Sequence, residues 1–273
     1  MGSRDERLYV SAPSHCALSA FSDPAGFSCR ATRDETPFSP VKVKDPNQRL
    51  VAPLWHTALL LLILFMLAVG GARLQSHANP SDSIAPRHEG IVPLYFSVII
   101  LEWALVCFVW FGLRRSGMRL RELIGGRWNS GKAVLLDVAI AFAFWIVWEG
   151  AGKLVHLLLG PSHAKTIDAL LPQGALEVGL WIAVSMSAGF GEEVVYRGYL
   201  QKQILALSTS VTAAVLGQAI LFGLSHAYQG AKQVIVITAL GVVYGVLPLW
   251  RKSLRPNIMA HAWSDVFSGL LSR

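Results

Sequence analysis

Charged residues are scarce in this chain: they make up 15% of 273 residues, against 53% hydrophobic, and the mean hydropathy is +0.47. A soluble domain carries about a quarter charged residues. The shortage therefore excludes an ordinary water-soluble fold and implies a polytopic membrane protein. Cysteine is equally sparse. Cys16, Cys29 and Cys107 contain no C-x-x-C pair, which excludes a disulfide framework and a cysteine metal site. The H-E-x-x-H signature is missing, so any metal would have to be held by residues from separate segments. Residues 1–30 lack an uninterrupted apolar run, so no signal peptide is expected. Glu6 stands where a myristoylation signal needs Ser or Thr. The net charge of +7 does not point to a nucleic-acid partner, because the basic residues cluster in loops between apolar runs, as membrane topology requires.

What is present is a series of long apolar runs. Residues 1–50 mix Ser, Pro, Asp and Arg without periodicity and read as a flexible cytoplasmic tail. From residue 51 to 273 the pattern is that of a membrane domain. Its expected fold is all-α, a bundle of about seven transmembrane helices over roughly 54–72, 91–113, 133–158, 175–196, 210–226, 232–250 and 256–272. The fifth of these is short, and the last is interrupted by His261, Ser264 and Asp265. No transporter-type repeat is visible. The loop 114–132 carries Arg114, Arg115, Arg119, Arg121, Arg127 and Lys132 against Glu122 alone. Arg251, Lys252 and Arg255 follow the sixth span, and Lys42, Lys44 and Arg49 precede the first. All three groups share one side if the N-terminus is cytoplasmic, in a multi-pass protein expected in the cell's inner membrane. Trp55, Trp110, Trp148 and Trp250 fall near span ends, where an aromatic belt belongs. The segment 118–124 reads as a short amphipathic piece on the cytoplasmic surface.

Three late clusters put ionisable groups where lipid makes charge expensive. In the first, Glu193 and Arg197 are i,i+4 and share a helix face in the favourable order. Glu192 is turned about 100° away. Glu193 is then neutralised by Arg197, while Glu192 is left to face a cavity and to act as general base on water. The bland alternative is a solvated charge cluster where a helix leaves the membrane. In the second, Phe222 and His226 lie on one face; a lone His ending an apolar run is as often a satisfied core residue as a ligand. In the third, His261 and Asp265 are i,i+4, so the carboxylate can orient the ring, or join it around water or metal. The pair can equally serve as polar glue between helices. A turn near Ser208 would put Glu192, 16 residues before it, level with His226, 18 after it, to within about 3 Å. For His261 to join them, the hairpin 197–210 must project beyond the bilayer. Its Arg197, Gln201, Lys202 and Gln203 are polar enough to allow that. Two His and one or two carboxylates make a catalytic set for zinc or another divalent metal. A metal-free version leaves Glu192 as base, with the His residues positioning water.

Together the clusters resemble the CPBP family of intramembrane metalloproteases, which includes CAAX prenyl endopeptidases and Abi-like, bacteriocin-processing members. E-E-x-x-x-R appears as Glu192, Glu193 and Arg197, F-x-x-x-H as Phe222 and His226, and the third motif as His261 and Asp265. The resemblance implies that 51–273 is a transmembrane protease domain with its motif-bearing core at 175–273. It implies an endopeptidase acting on a membrane-associated peptide or protein in the bilayer. Glu192 would activate water, with His226, His261 and Asp265 binding metal or water and polarising the scissile carbonyl. Glu193, Arg197 and Phe222 would support the site. Asp265 is a departure, since prenyl-protein endopeptidases carry Asn there; an added carboxylate favours cation binding. The competing readings are a proton- or cation-coupled transporter using Glu102, Asp137 and Glu149, and a non-catalytic immunity or scaffold protein.

Overall fold

Eight helices and no strand occur among the described residues, which in this computed structural model are 50–77, 90–159 and 170–271. The expected tail and the basic residues Lys42, Lys44 and Arg49 lie outside them. The helices are α1 (Leu54–His77), α2 (Ile91–Arg115), α3 (Leu120–Ile124), α4 (Gly131–Leu159), α5 (Ala175–Ser208), α6 (Val211–Ser225), α7 (Ala231–Arg251) and α8 (Arg255–Leu271). A one-turn 3₁₀ segment, Ala227–Gln229, joins α6 to α7. The chain is an all-α integral membrane bundle. Phe65, Ile100, Leu135, Val147 and Ile235 point outward and are exposed, as an apolar surrounding permits.

The seven expected spans all correspond to helices, but among the described residues five helices are long and apolar enough to cross a membrane by themselves. At 15 residues, α6 is about 22 Å long, less than the ~30 Å hydrocarbon core. In α8 the apolar run is broken by Arg255, Asn257, His261 and Asp265. These two helices pack on their neighbours, α6 against α7 and α8 against α5 and α4. Without a hydrophobic driving force between helices in lipid, such contacts depend on close backbone approach at small residues. Gly189 is one such point. A Cβ there would lie 2.7 Å from the backbone nitrogen of Ala262, so α5 and α8 meet without side chains between them. We expect Gly189→Val to destabilise the bundle by about 1–3 kcal/mol and to reduce activity by displacing His261. Denaturant midpoints of the purified variant beside wild type check this.

The fourth span does not stop near residue 196. It continues for 34 residues to Ser208, because Glu193–Leu200 winds as a π-helix inside an otherwise α-helical rod. π-bulges cluster at functional sites. Tyr199, on this stretch, ties it to α1: its hydroxyl lies 2.8 Å from His56 Nδ1 and 2.9 Å from Thr57 Oγ1. Thr209 then takes a left-handed conformation, and the Ser210 hydroxyl caps α6 by accepting from Ala213 N at 3.2 Å. The turn falls where the spacing of Glu192 and His226 required it.

Polar residues of the 197–210 hairpin serve a different purpose from the one expected. Arg197, Gln201 and Gln203 are turned inward. Gln203 is fully buried; its Oε1 accepts from the Val51 and Ala52 amides at 2.8 and 3.2 Å. Its Nε2 donates to the Ala52 carbonyl and the Thr57 hydroxyl. Gln201 donates to the Gly245 carbonyl at 2.8 Å, and Lys202 to the Leu123 carbonyl at 3.1 Å. An unmet amide or carbonyl in a dry interior costs several kcal/mol, so these side chains complete the backbone rather than wet the hairpin. The segment 118–124 also differs from expectation. Leu123 is buried in the main core, with Met118, Leu120 and Ile124 against it, so its apolar side covers protein rather than lipid.

The basic clusters that are described do lie at one end. Leu254 N donates to the Ile124 carbonyl and Arg255 Nη2 to the Gly125 carbonyl, at 2.9 and 2.6 Å. The loop after α3 and the α7–α8 turn are thereby joined.

Candidate active site

Three carboxylates from α5 and α8 meet around the ring of His261. Its Nδ1 lies 3.0 Å from Glu193 Oε1. Its Nε2 faces Glu192 Oε2 at 3.5 Å and Asp265 Oδ2 at 3.6 Å. A carboxylate only accepts, so Nδ1 carries the proton toward Glu193, while Nε2 faces two further carboxylates. The sequence offered Asp265 either to orient the His261 ring or to join it around water or metal. In the structure the orienting contact belongs to Glu193, and Asp265 stands at the other nitrogen.

Exposure separates the carboxylates. The side chains of Glu193 and Arg197 are completely buried, whereas those of Glu192 and Asp265 are 18% and 37% exposed. Glu193 Oε1 is 3.1 Å from Arg197 Nη1. Its Oε2 accepts from Asn257 Nδ2 at 3.2 Å. The Arg197 guanidinium sits over the Phe222 ring at 4.1 Å and the Tyr244 ring at 5.3 Å, an aromatic clamp that compensates a desolvated cation. Glu193 thus has a charge partner, an amide donor and an imidazole. Glu192 Oε2 is buried with no hydrogen-bond partner. Of the two adjacent acids, one is held and one is left free.

His226 reaches this centre through an aromatic spacer. Phe222 packs against both imidazoles, with ring centroids 4.9 Å from His226 and 6.1 Å from His261. His226 Nδ1 lies 2.9 Å from the Phe222 carbonyl and 3.1 Å from the Ser225 hydroxyl. The carbonyl is an acceptor, so here too Nδ1 carries a proton. The structure brings Glu192, Glu193, His261 and Asp265 into direct contact. It holds His226 beside them by way of Phe222.

Residues outside the three motifs also contribute. Asn257 binds Glu193 and also donates to the Tyr244 carbonyl at 2.7 Å. It was legible as the i−4 neighbour of His261, one turn before it on the same helix face. Tyr244 packs on His261 at 5.7 Å, which no local pattern announces. The Glu102 carboxylate, on α2, is buried against Gly191, immediately before Glu192. Asp137, by contrast, is occupied structurally: fully buried, it accepts from Arg251 and from the Trp128 indole, both at 2.7 Å.

Residues 174–267 match the family model described as type II CAAX prenyl endopeptidase Rce1-like. Over that stretch the chain is similar to the Rce1-like family. No curated protein and no solved structure gives a significant match. The Rce1-like region encloses α5, α6, α7 and most of α8, hence every motif residue named above; Glu102 and Asp137 fall outside it. Among the described residues, no three His, Cys, Asp or Glu side chains stand in an arrangement that would hold a metal ion. The donor types around His261 Nε2, an imidazole with a carboxylate on its far nitrogen and two further carboxylates, are nevertheless those a divalent cation uses.

Proposed function

We propose that this protein is an intramembrane endopeptidase that hydrolyses a peptide bond in a membrane-associated protein or peptide. The observation that carries this reading is the unequal treatment of two adjacent glutamates. Glu193 is buried and fully engaged, while Glu192 keeps a carboxylate oxygen without a partner beside the Nε2 of His261. A general base needs such a free lone pair within reach of water.

Glu192 takes a proton from a water molecule as its oxygen attacks the scissile carbonyl carbon. The C–O bond forms, and negative charge collects on the former carbonyl oxygen. His226 and Asp265 accept from the water and position it, and His261, when it carries a second proton on Nε2, donates to the developing oxyanion. His261 stands among three carboxylates, so positive charge on its ring is compensated there. The C–N bond then breaks and the proton held by Glu192 passes to the departing amine, leaving a carboxylate and an amine as products. Preorganised groups of this kind act strongly in a dry site, where their charges are little screened. The basic end of the bundle faces the cytoplasm in this reading, as positive residues prefer.

The donor types of this site, two imidazoles and two partly exposed carboxylates, suit one variant of the scheme. Zinc or another divalent metal would be held by Glu192, His226, His261 and Asp265, and when bound would supply Lewis-acid polarisation of the carbonyl. Elemental analysis of detergent-purified wild type beside a His226→Ala/His261→Ala double mutant separates the variants. About one zinc per chain, absent from the mutant, supports the metal form; a metal-free wild type that cleaves supports water activation by Glu192 alone. In proteoliposomes supplied with a farnesylated, internally quenched CAAX peptide and its unprenylated counterpart, either single His mutant is expected to lose at least about 100-fold in rate. A preference for the farnesylated peptide would give the substrate class that the family description names.

A further inference from the structure

A groove of about 600 Å³ opens at the basic end of the bundle, between the loop after α3 and the first turns of α8. Its walls are Ile124, Ile258 and Met259, and its rim carries Arg127, Trp128 and Arg255. We propose that this groove binds one anionic phospholipid, with the headgroup phosphate between Arg127 and Arg255 and an acyl chain along Ile258 and Met259.

Three observations point to that occupant. The first is charge. The one acid packed beneath the rim, Asp137, is already matched by Arg251 at 2.7 Å and by the Trp128 indole; Arg255 stands farther off, at 3.7 Å. Glu122 is the other acid of this end, against Arg119, Arg121, Arg127, Lys132, Arg251, Lys252 and Arg255. Positive charge is left over, and Arg127 is exposed with no hydrogen bond or ion pair among the described residues. The second is rigidity. Arg255 is fixed by its bond to the Gly125 carbonyl and by stacking 4.5 Å from the Trp128 ring centre, so one half of a phosphate clamp is pre-set. The third is the wall below. A free phosphate would use the two cations alone, whereas a groove that continues along apolar side chains fits a ligand that is anionic at one end and hydrocarbon at the other. Basic pockets between membrane helices take such headgroups.

The site is independent of the hydrolytic reading, but α8 connects them. Arg255, Ile258 and Met259 precede His261 on one helix, so a bound lipid would brace the element that carries the imidazole. The test uses the full chain in detergent, as wild type, Arg127→Gln and Met259→Trp. Each is titrated with phosphatidylglycerol, with phosphatidylcholine and with inorganic phosphate. The readouts are lipid retained in native mass spectrometry and the midpoint of thermal unfolding. We expect one phosphatidylglycerol per chain on the wild type and an upward shift of its midpoint. Both variants are expected to bind about ten-fold more weakly, the factor that goes with losing one charge-assisted contact or the chain's space. Phosphate should neither shift the midpoint nor displace the lipid. Arg127 is exposed, so its variant keeps the proposal testable even if Met259→Trp fails to fold. Equal retention of the two lipids, unchanged binding by Arg127→Gln, or displacement by millimolar phosphate would each overturn it.

Discussion

Glu192→Gln is expected to lower peptide cleavage by about 10³-fold while leaving the fold unchanged. Replacement of a carboxylate by an amide keeps shape and volume but removes the lone pair that takes the water proton. Glu192 contributes little to packing: its Oε2 makes no hydrogen bond, and its contact with His261 is long, at 3.5 Å. Unchanged denaturant midpoints together with lost turnover would therefore locate the defect in the chemical step. Cleavage at the wild-type rate would remove Glu192 from the role of base.

Glu193→Ala should behave in the opposite way. It leaves the Arg197 guanidinium buried between Phe222 and Tyr244 without its carboxylate. Breaking a buried ion pair from one side costs about 3–5 kcal/mol, a large share of the stability of any domain. His261 loses its orienting acceptor in the same change, so activity falls too. Arg197→Ala should cost a similar amount, because it strands Glu193 instead. Glu193→Gln keeps an acceptor for His261 Nδ1 and is expected to lose less activity than Glu193→Ala. Denaturant midpoints and turnover, measured on the same preparations, distinguish this pair of residues from Glu192.

Most of the fold, and the ionisable residues that meet around His261, were legible because membrane proteins display both in composition. Apolar runs long enough for lipid mark the helices. A Glu or His within such a run is costly enough to stand out. Helical spacing then indicated that Glu193 and Arg197 share a face and that His261 and Asp265 do as well. What was not legible depends on which helices are neighbours. Spacing along α8 offered Asp265 as the orienting partner of His261, but the packing of α5 on α8 puts Glu193 at Nδ1 instead. Gln201 and Gln203 looked like residues for water, because nothing local says that the start of α1 and the Gly245 carbonyl need donors and acceptors beside them. The π-helical stretch was invisible for the same reason, as residue preferences in π- and α-windings differ little over eight residues. Asp137, one of the three acids behind the transporter reading, proved to be bonded to Arg251 and Trp128, which spacing along the chain could not show.

Cleavage in ¹⁸O-labelled water tests the central claim most directly. The purified protein in proteoliposomes is given the farnesylated CAAX peptide, and the new C-terminus is weighed by mass spectrometry. The account predicts one ¹⁸O in the carboxylate of the N-terminal fragment from wild type, and about a thousand-fold less of that product from Glu192→Gln. Labelled product formed equally fast by Glu192→Gln would contradict it.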